Sequence, residues 1–341
     1  MKKKLLMLLI LCVLLAGCSG NSQSDSKNEG NTSETLSGNT STFSNDISNE
    51  NLIRDTENVK FKYKPQNEHI SAEIYNYANA EVSADSYLNL FSGEPSCEKE
   101  TFPNGFREEY TFGDESGAIM NRDGILQSID YNTSQGFNYL VVEDGTEVAD
   151  ETTEFDFISR KEISEKLSTT VKELLGMDIK AKINAVTADQ FSSDVETHIN
   201  NVAQLDDNPP TADKYGTPAD FYLVSFVQCI GDIPVEGRFG NAVFTAKGME
   251  LLSVYAPVKP TEKISESSTF ITLDGAEKSL KAKYDLLFLD EPVKVDSGEL
   301  TYIINDGKLT PAWKFTFADG IIEYYDAYTG KEIVVNTGEG A

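Results

Sequence analysis

Four cysteines, two histidines and 56 carboxylates are the residues with which this chain could do chemistry. His69 and His198 are the only histidines. His198 adjoins the apolar positions of a short amphipathic stretch, where a half-buried or surface histidine is the ordinary outcome. No Gly-x-Ser-x-Gly elbow, Ser-x-x-Lys, His-Glu-x-x-His or Walker-type loop occurs, and no EF-hand spacing. Carboxylates are so abundant that pairs such as Asp206-Asp207 and Asp290-Glu291 read as solvated loop charges. The expectation is a protein that is not an enzyme and carries no cofactor or metal.

The cysteines divide more clearly. Cys12 sits inside the apolar run Leu5 to Leu15, which follows Lys2, Lys3 and Lys4. A positive start and a short apolar run make a secretory leader; the run falls short of the roughly 20 residues a permanent spanning helix needs. Leu15-Ala16-Gly17-Cys18 closes it, and a polar Ser/Asn-rich stretch follows. This order resembles the bacterial lipoprotein lipobox, which implies that Cys18 is diacylated and becomes the mature N-terminus. An ordinary leader with a coincidental cysteine is the alternative. Cys97 and Cys229 then remain: they could form one disulfide, or Cys229, within the apolar run Phe221 to Ile230, is a small buried hydrophobe.

Charge narrows the partners. With 29 Lys and Arg against 56 Asp and Glu the chain carries −27, so no nucleic acid is expected. The same surplus argues against a body that lies flat on anionic lipid.

Residues 19–57 hold almost no apolar side chains and cannot offset the entropy of ordering, so a disordered tether is expected there. Beyond it, Ile70 to Leu90 shows a loose helical spacing, and Phe106–Phe112, Ala118–Asn121 and Ile125–Tyr131 alternate like antiparallel strands. Ser159 with Glu162 forms a capping box before the stripe Ile163, Leu167, Val171, Leu174 and Leu175, with Gly176 as the stop. A strand over Ile179–Val186 and a shorter helix capped by Ser193 and Glu196 come next, then a Pro/Gly-rich loop over 205–218. Strands over Phe221–Ile230, Arg238–Ala246 and Met249–Tyr255 end at Pro257 and Pro260. A third helix spans Asp274–Leu287, followed by strands at Val293–Val295, Leu300–Asn305, Ala312–Ala318 and Ile321–Tyr328. Three hairpins, turning at Asp123-Gly124, Lys247-Gly248 and Asp319-Gly320, each follow a helix. The expected fold class is therefore α+β, built of repeated helix plus antiparallel β-hairpin units after the tether.

The last hairpin carries a second resemblance. Pro311-Ala312-Trp313, followed by Tyr324-Tyr325-Asp326-Ala327-Tyr328-Thr329-Gly330, resembles PepSY domains and the C-terminal part of YycH/YycI-type extracytoplasmic regulators of histidine kinases. Ile271-Thr272-Leu273-Asp274-Gly275-Ala276 and Gly231-Asp232-Ile233-Pro234-Val235 are similar to segments of the same proteins. Those regulators are held by a spanning helix, whereas lipid should hold this chain, so only extracytoplasmic contact carries over. The resemblance implies a lipid-anchored module on the outer face of the cell membrane that regulates an envelope protein by contact, a sensor kinase or a protease. Trp313, Tyr324, Tyr325 and Asp326 are its candidate interaction residues. Some of these residues also have a structural account: Trp313 as core, Gly330 as a turn glycine and Asp326 as a turn cap. A ligand-binding or structural envelope lipoprotein without signalling is the alternative function. The expected division is 1–17 leader, 18–57 tether, 58–150 and 151–260 α+β domains, and 261–341 a C-terminal PepSY-like domain.

Overall fold

The computed structural model describes residues 55–64, 72–133, 152–204, 210–264 and 269–334. The leader, Cys18, tether residues up to 54, His69 and part of the 205–218 loop lie outside the described residues. In chain order, β1 (Val59–Phe61) and β2 (Ile74–Asn79) precede a short helix, α1 (Ala84–Leu88). Four strands follow: β3 (Ser96–Phe102), β4 (Gly105–Phe112), β5 (Glu115–Arg122) and β6 (Ile125–Asn132). Next come α2 (Arg160–Leu175), β7 (Asp178–Val186) and α3 (Ala188–Ala203). Strands β8 (Phe221–Ile230), β9 (Ile233–Thr245), β10 (Gly248–Tyr255) and β11 (Val258–Ile264) lead to α4 (Leu273–Tyr284). The chain closes with β12 (Val293–Asn305), β13 (Lys308–Phe317), β14 (Ile322–Asp326) and β15 (Glu332–Ile333).

The expected repeat of helix-plus-hairpin units is not what forms. All 15 strands join one hydrogen-bonded mixed sheet, whose main path runs β11-β2-β13-β12-β9-β10-β6-β5-β4-β3, with only four α-helices among the described residues. A hairpin leaves two edges of unpaired N–H and C=O groups, and here other strands take up those edges. Thus β10 pairs antiparallel with β6, Leu251 opposite Asn132 and Tyr255 opposite Ser128. The 13-residue β9 is too long for a unit hairpin: it pairs with β8 and β10, while its Val235 meets Tyr302 of β12 in parallel.

The chain forms two compact units. The described part of the smaller consists of 55–64, 281–297 and 316–322. In it β1 pairs parallel with the start of β12, Val59 opposite Val293, and Lys62 lies 2.9 Å from Asp296. The larger unit holds the main core. There Ile163, Leu167, Val171 and Leu174 of α2 are fully buried with Leu126, Ile129, Phe226 and Leu252 from the strands. Each such side chain stabilises the fold by about 1.5–3 kcal/mol. The α2 helix starts and stops where local chemistry says it should. Ser159 and Glu162 complete a reciprocal capping box, and Gly176 takes φ 68° at the C-cap.

Other expectations yield to pairing. Residues 74–79, read as helix, form β2, because neighbours β11 and β13 offer ladders on both sides. The second helix is capped by Thr187, not Ser193, and runs from Ala188 through Phe191, whose burial adds a turn. The α4 helix ends at Tyr284 rather than Leu287, so Leu286 and Leu287 lie beyond it. Pro257 and Pro260 do not end the strand region. Pro260 sits in β11, next to a register shift between Pro260 and Lys263, and β11 is a sheet edge that needs no donor there. The polar strand β3 has exposed residues on both faces and depends on its ladder with β4.

Candidate functional site

Hydrogen-bond register brings three strand ends together. Asn132 of β6 stands between Ser116 of β5 and Leu251 of β10. Asp114 and Glu115, Tyr131 and Thr133, and Met249 and Glu250 therefore meet at one corner of the sheet, around a cavity of about 260 Å³. The β9–β10 turn adds Lys247 to its wall.

Glu250 owes its position to a defect in the ladder. Met249 faces Phe244 and Leu251 faces Val243, leaving Glu250 as the extra residue of a β-bulge. Bulges re-aim side chains and are common beside functional sites. Glu250 is only 3% exposed. Its Oε1 lies 3.6 Å from Lys247 Nζ, while Oε2 has no hydrogen-bond partner among the described residues. Thr133 Oγ1 is likewise buried without a partner, although the Thr133 backbone N–H donates to the Glu250 carbonyl at 2.9 Å. Buried polar atoms are almost always satisfied, so the Glu250 carboxylate oxygen marks a place for a donor, beside a Thr133 hydroxyl that can donate or accept.

Glu115 is already engaged. Its Oε1 accepts from the Tyr131 hydroxyl at 3.1 Å, and its Oε2 accepts from Ser92 N at 2.8 Å and Ser92 Oγ at 3.0 Å. Burial, then the Glu115 charge, pushes the Tyr131 hydroxyl well above the usual tyrosine range, so it stays a neutral donor. With Asp114, Glu115 and Glu250 against Lys247, the cavity favours a cation. Among the described residues no group of three or more His, Cys, Asp or Glu side chains is placed to hold a metal ion. A ligand that brings its own N–H donors fits that spacing better than a bare ion does. A second depression of about 370 Å³, walled by Glu165 and Thr169 of α2 with Phe244, adjoins the first and shares Met249 with it.

The residues singled out in the sequence lie elsewhere. Cys18 is outside the described residues. Trp313 is 6% exposed, with its indole N–H donating to the Ile271 carbonyl at 2.8 Å. Tyr325 is buried against Phe315, with ring centroids 5.6 Å apart. Asp326 Oδ1 accepts from the backbone N–H groups of Tyr328 and Thr329, a turn cap. Tyr324 is half-buried near Glu236, which sits 3.0 Å from Lys314; burial and that carboxylate raise its hydroxyl pKa. His198 packs edge-on against Tyr215. Cys97 on β3 is exposed and Cys229 on β8 is buried, both as free thiols, and their strands are separated by five others in the sheet. Sequence reasoning missed the cavity because its lining residues come from three strand ends and a turn and share no local motif. The one available signal was the hairpin turn Lys247-Gly248, whose lysine and returning strand line part of it.

No protein-family model and no curated protein matches the chain. Among solved structures, the fold is similar to the crystal structure of an uncharacterized protein from Eubacterium rectale. The two share 16% identity with a TM-score of 0.54, over 78% of this chain and 86% of the other. That likeness extends to the fold alone.

Proposed function

We propose that the protein is a lipid-anchored extracytoplasmic binding module that works by contact with an envelope protein and holds a cationic side chain of it in the acidic cavity. The observation that carries this reading is Glu250: a bulge turns its carboxylate inward, where one oxygen has no donor among the described residues. An arginine or lysine side chain supplies charge and N–H groups together, and such charge-assisted bonds are the strong ones. The leader pattern ending in Cys18 supports the anchor, and the resemblance of residues 311–330 suggests a sensor kinase or a protease as the partner class. A small amphipathic cation is a second occupant, favoured by the adjoining depression and its Phe244 and Met249 wall.

Calorimetric titration of the purified protein with L-argininamide tests the reading. Saturable binding should weaken by about tenfold, some 1.4 kcal/mol, in Glu250→Gln. It should also weaken as salt is raised. Absence of saturable binding, or equal affinity in the variant, overturns it.

A further inference from the structure

We propose that Leu286, Leu287 and Phe288 form an apolar tip by which the smaller unit rests on the lipid bilayer. This inference builds on the reading of Cys18 as the anchor. Leu286 is 83% and Phe288 106% exposed, and Leu287, Ile321 and Ile322 of the same unit are exposed as well. Scattered apolar residues on a surface are ordinary, but three consecutive large ones at a loop tip mark a contact surface.

The loop is held, not loose. Asp285 N–H and Leu287 N–H donate to the Lys281 and Tyr284 carbonyls at 2.8 and 3.0 Å, closing the end of α4. The Tyr284 ring lies 5.7 Å from that of Phe317, and Phe317 N–H donates to the Ile321 carbonyl, which ties the isoleucines to the same framework.

Two observations choose lipid as the occupant. The first is where the rest of the chain joins. The described residues begin at Asp55, and Thr56 and Asn58 hydrogen bond directly to this loop. Thr56 Oγ1 donates to Asp285 Oδ1 at 3.1 Å, and Asn58 Nδ2 donates to the Tyr284 and Leu287 carbonyls at 3.0 and 3.2 Å. The segment that leads to Cys18 therefore departs beside the apolar tip. The second is charge. The described residues of this unit carry six lysines and seven carboxylates, against −27 for the whole chain. This is the part of the molecule that a membrane surface repels least. A tether alone leaves the orientation of the body free, whereas a tip beside its root fixes which face meets lipid. Two weak membrane contacts in series also bind far better than one.

The test uses the lipidated chain reconstituted in vesicles of dibrominated phosphatidylcholine, with Phe288→Trp as reporter. The exposure of Phe288 makes the substitution harmless to folding, and buried Trp313 supplies a constant background. Expected is a blue-shifted added emission that loses most of its intensity to the brominated chains. An added emission with a water-like maximum and no quenching, from protein still bound through Cys18, overturns the tip while leaving the anchor intact. A blue shift without quenching places the tip against a second copy and overturns it too. If mass spectrometry finds no lipid on Cys18, the anchor fails and this inference falls with it.

Discussion

At the scale of single residues, the structure separates groups that stabilise the fold from groups held ready for something else. Trp313 belongs to the first kind. Its ring is buried and its N–H is satisfied, so Trp313→Ala should cost about 3–5 kcal/mol in a denaturant titration. Because it is the only tryptophan, native emission should be blue-shifted and poorly quenched by acrylamide. Asp130 shows what charge burial does. Desolvation raises its carboxyl pKa, against the opposing hydrogen bonds of Ser253 and Ser128. The folded state therefore holds this proton more tightly than the unfolded chain does. That contribution is complete below the ordinary aspartate range and is lost as pH rises through the elevated folded value. Asp130→Asn should accordingly raise the melting temperature at neutral pH, and the gain should vanish in acid. A variant that melts lower at pH 7 would refute the sign. The candidate site follows from neither composition nor motif: Glu250 is one of 56 carboxylates, and only a bulge distinguishes it.

At the scale of elements, local signals succeed where an element needs no partner to define it. The capping box and Gly176 set both ends of α2, and its stripe faces the core as its spacing requires. Removing the cap with Ser159→Ala should cost about 1 kcal/mol, visible as a lower chemical midpoint at unchanged slope. Strands behave differently. The segment Ile74–Asn79 is loosely periodic and becomes β2 because two ladders are available to it, and the charged β3 is a strand only by virtue of β4. Pro260 resides in a strand because that strand is an edge. Such decisions depend on neighbours distant in sequence, which no local window contains.

At the scale of the whole molecule, the anchor and the body are separate matters. On the lipoprotein reading, acyl chains on Cys18 would hold the protein with about 0.8 kcal/mol per buried CH₂, so Cys18→Ala should move it from washed membranes to the medium or leave it as retained precursor. Recovery in the membrane fraction despite the substitution would sink the lipoprotein reading. Among the described residues no helix is long and apolar enough to cross a membrane. The sequence by itself determined the features that depend on composition and short-range order. These are the acidic charge, the leader pattern, the polar stretch after it, the capped α2 helix, and the turns at Asp123-Gly124 and Lys247-Gly248. Tertiary structure decided the rest. It joined hairpins that look like separate units into a single mixed sheet, because each exposed edge costs unpaired backbone groups. By setting β5, β6 and β10 in register, it also brought Glu115, Thr133 and Glu250 to one cavity. Their meeting required long-range pairing of β10 with β6, whose partners lie up to 127 positions apart in the numbering (Tyr255 opposite Ser128), and spacing along the chain carries no record of that.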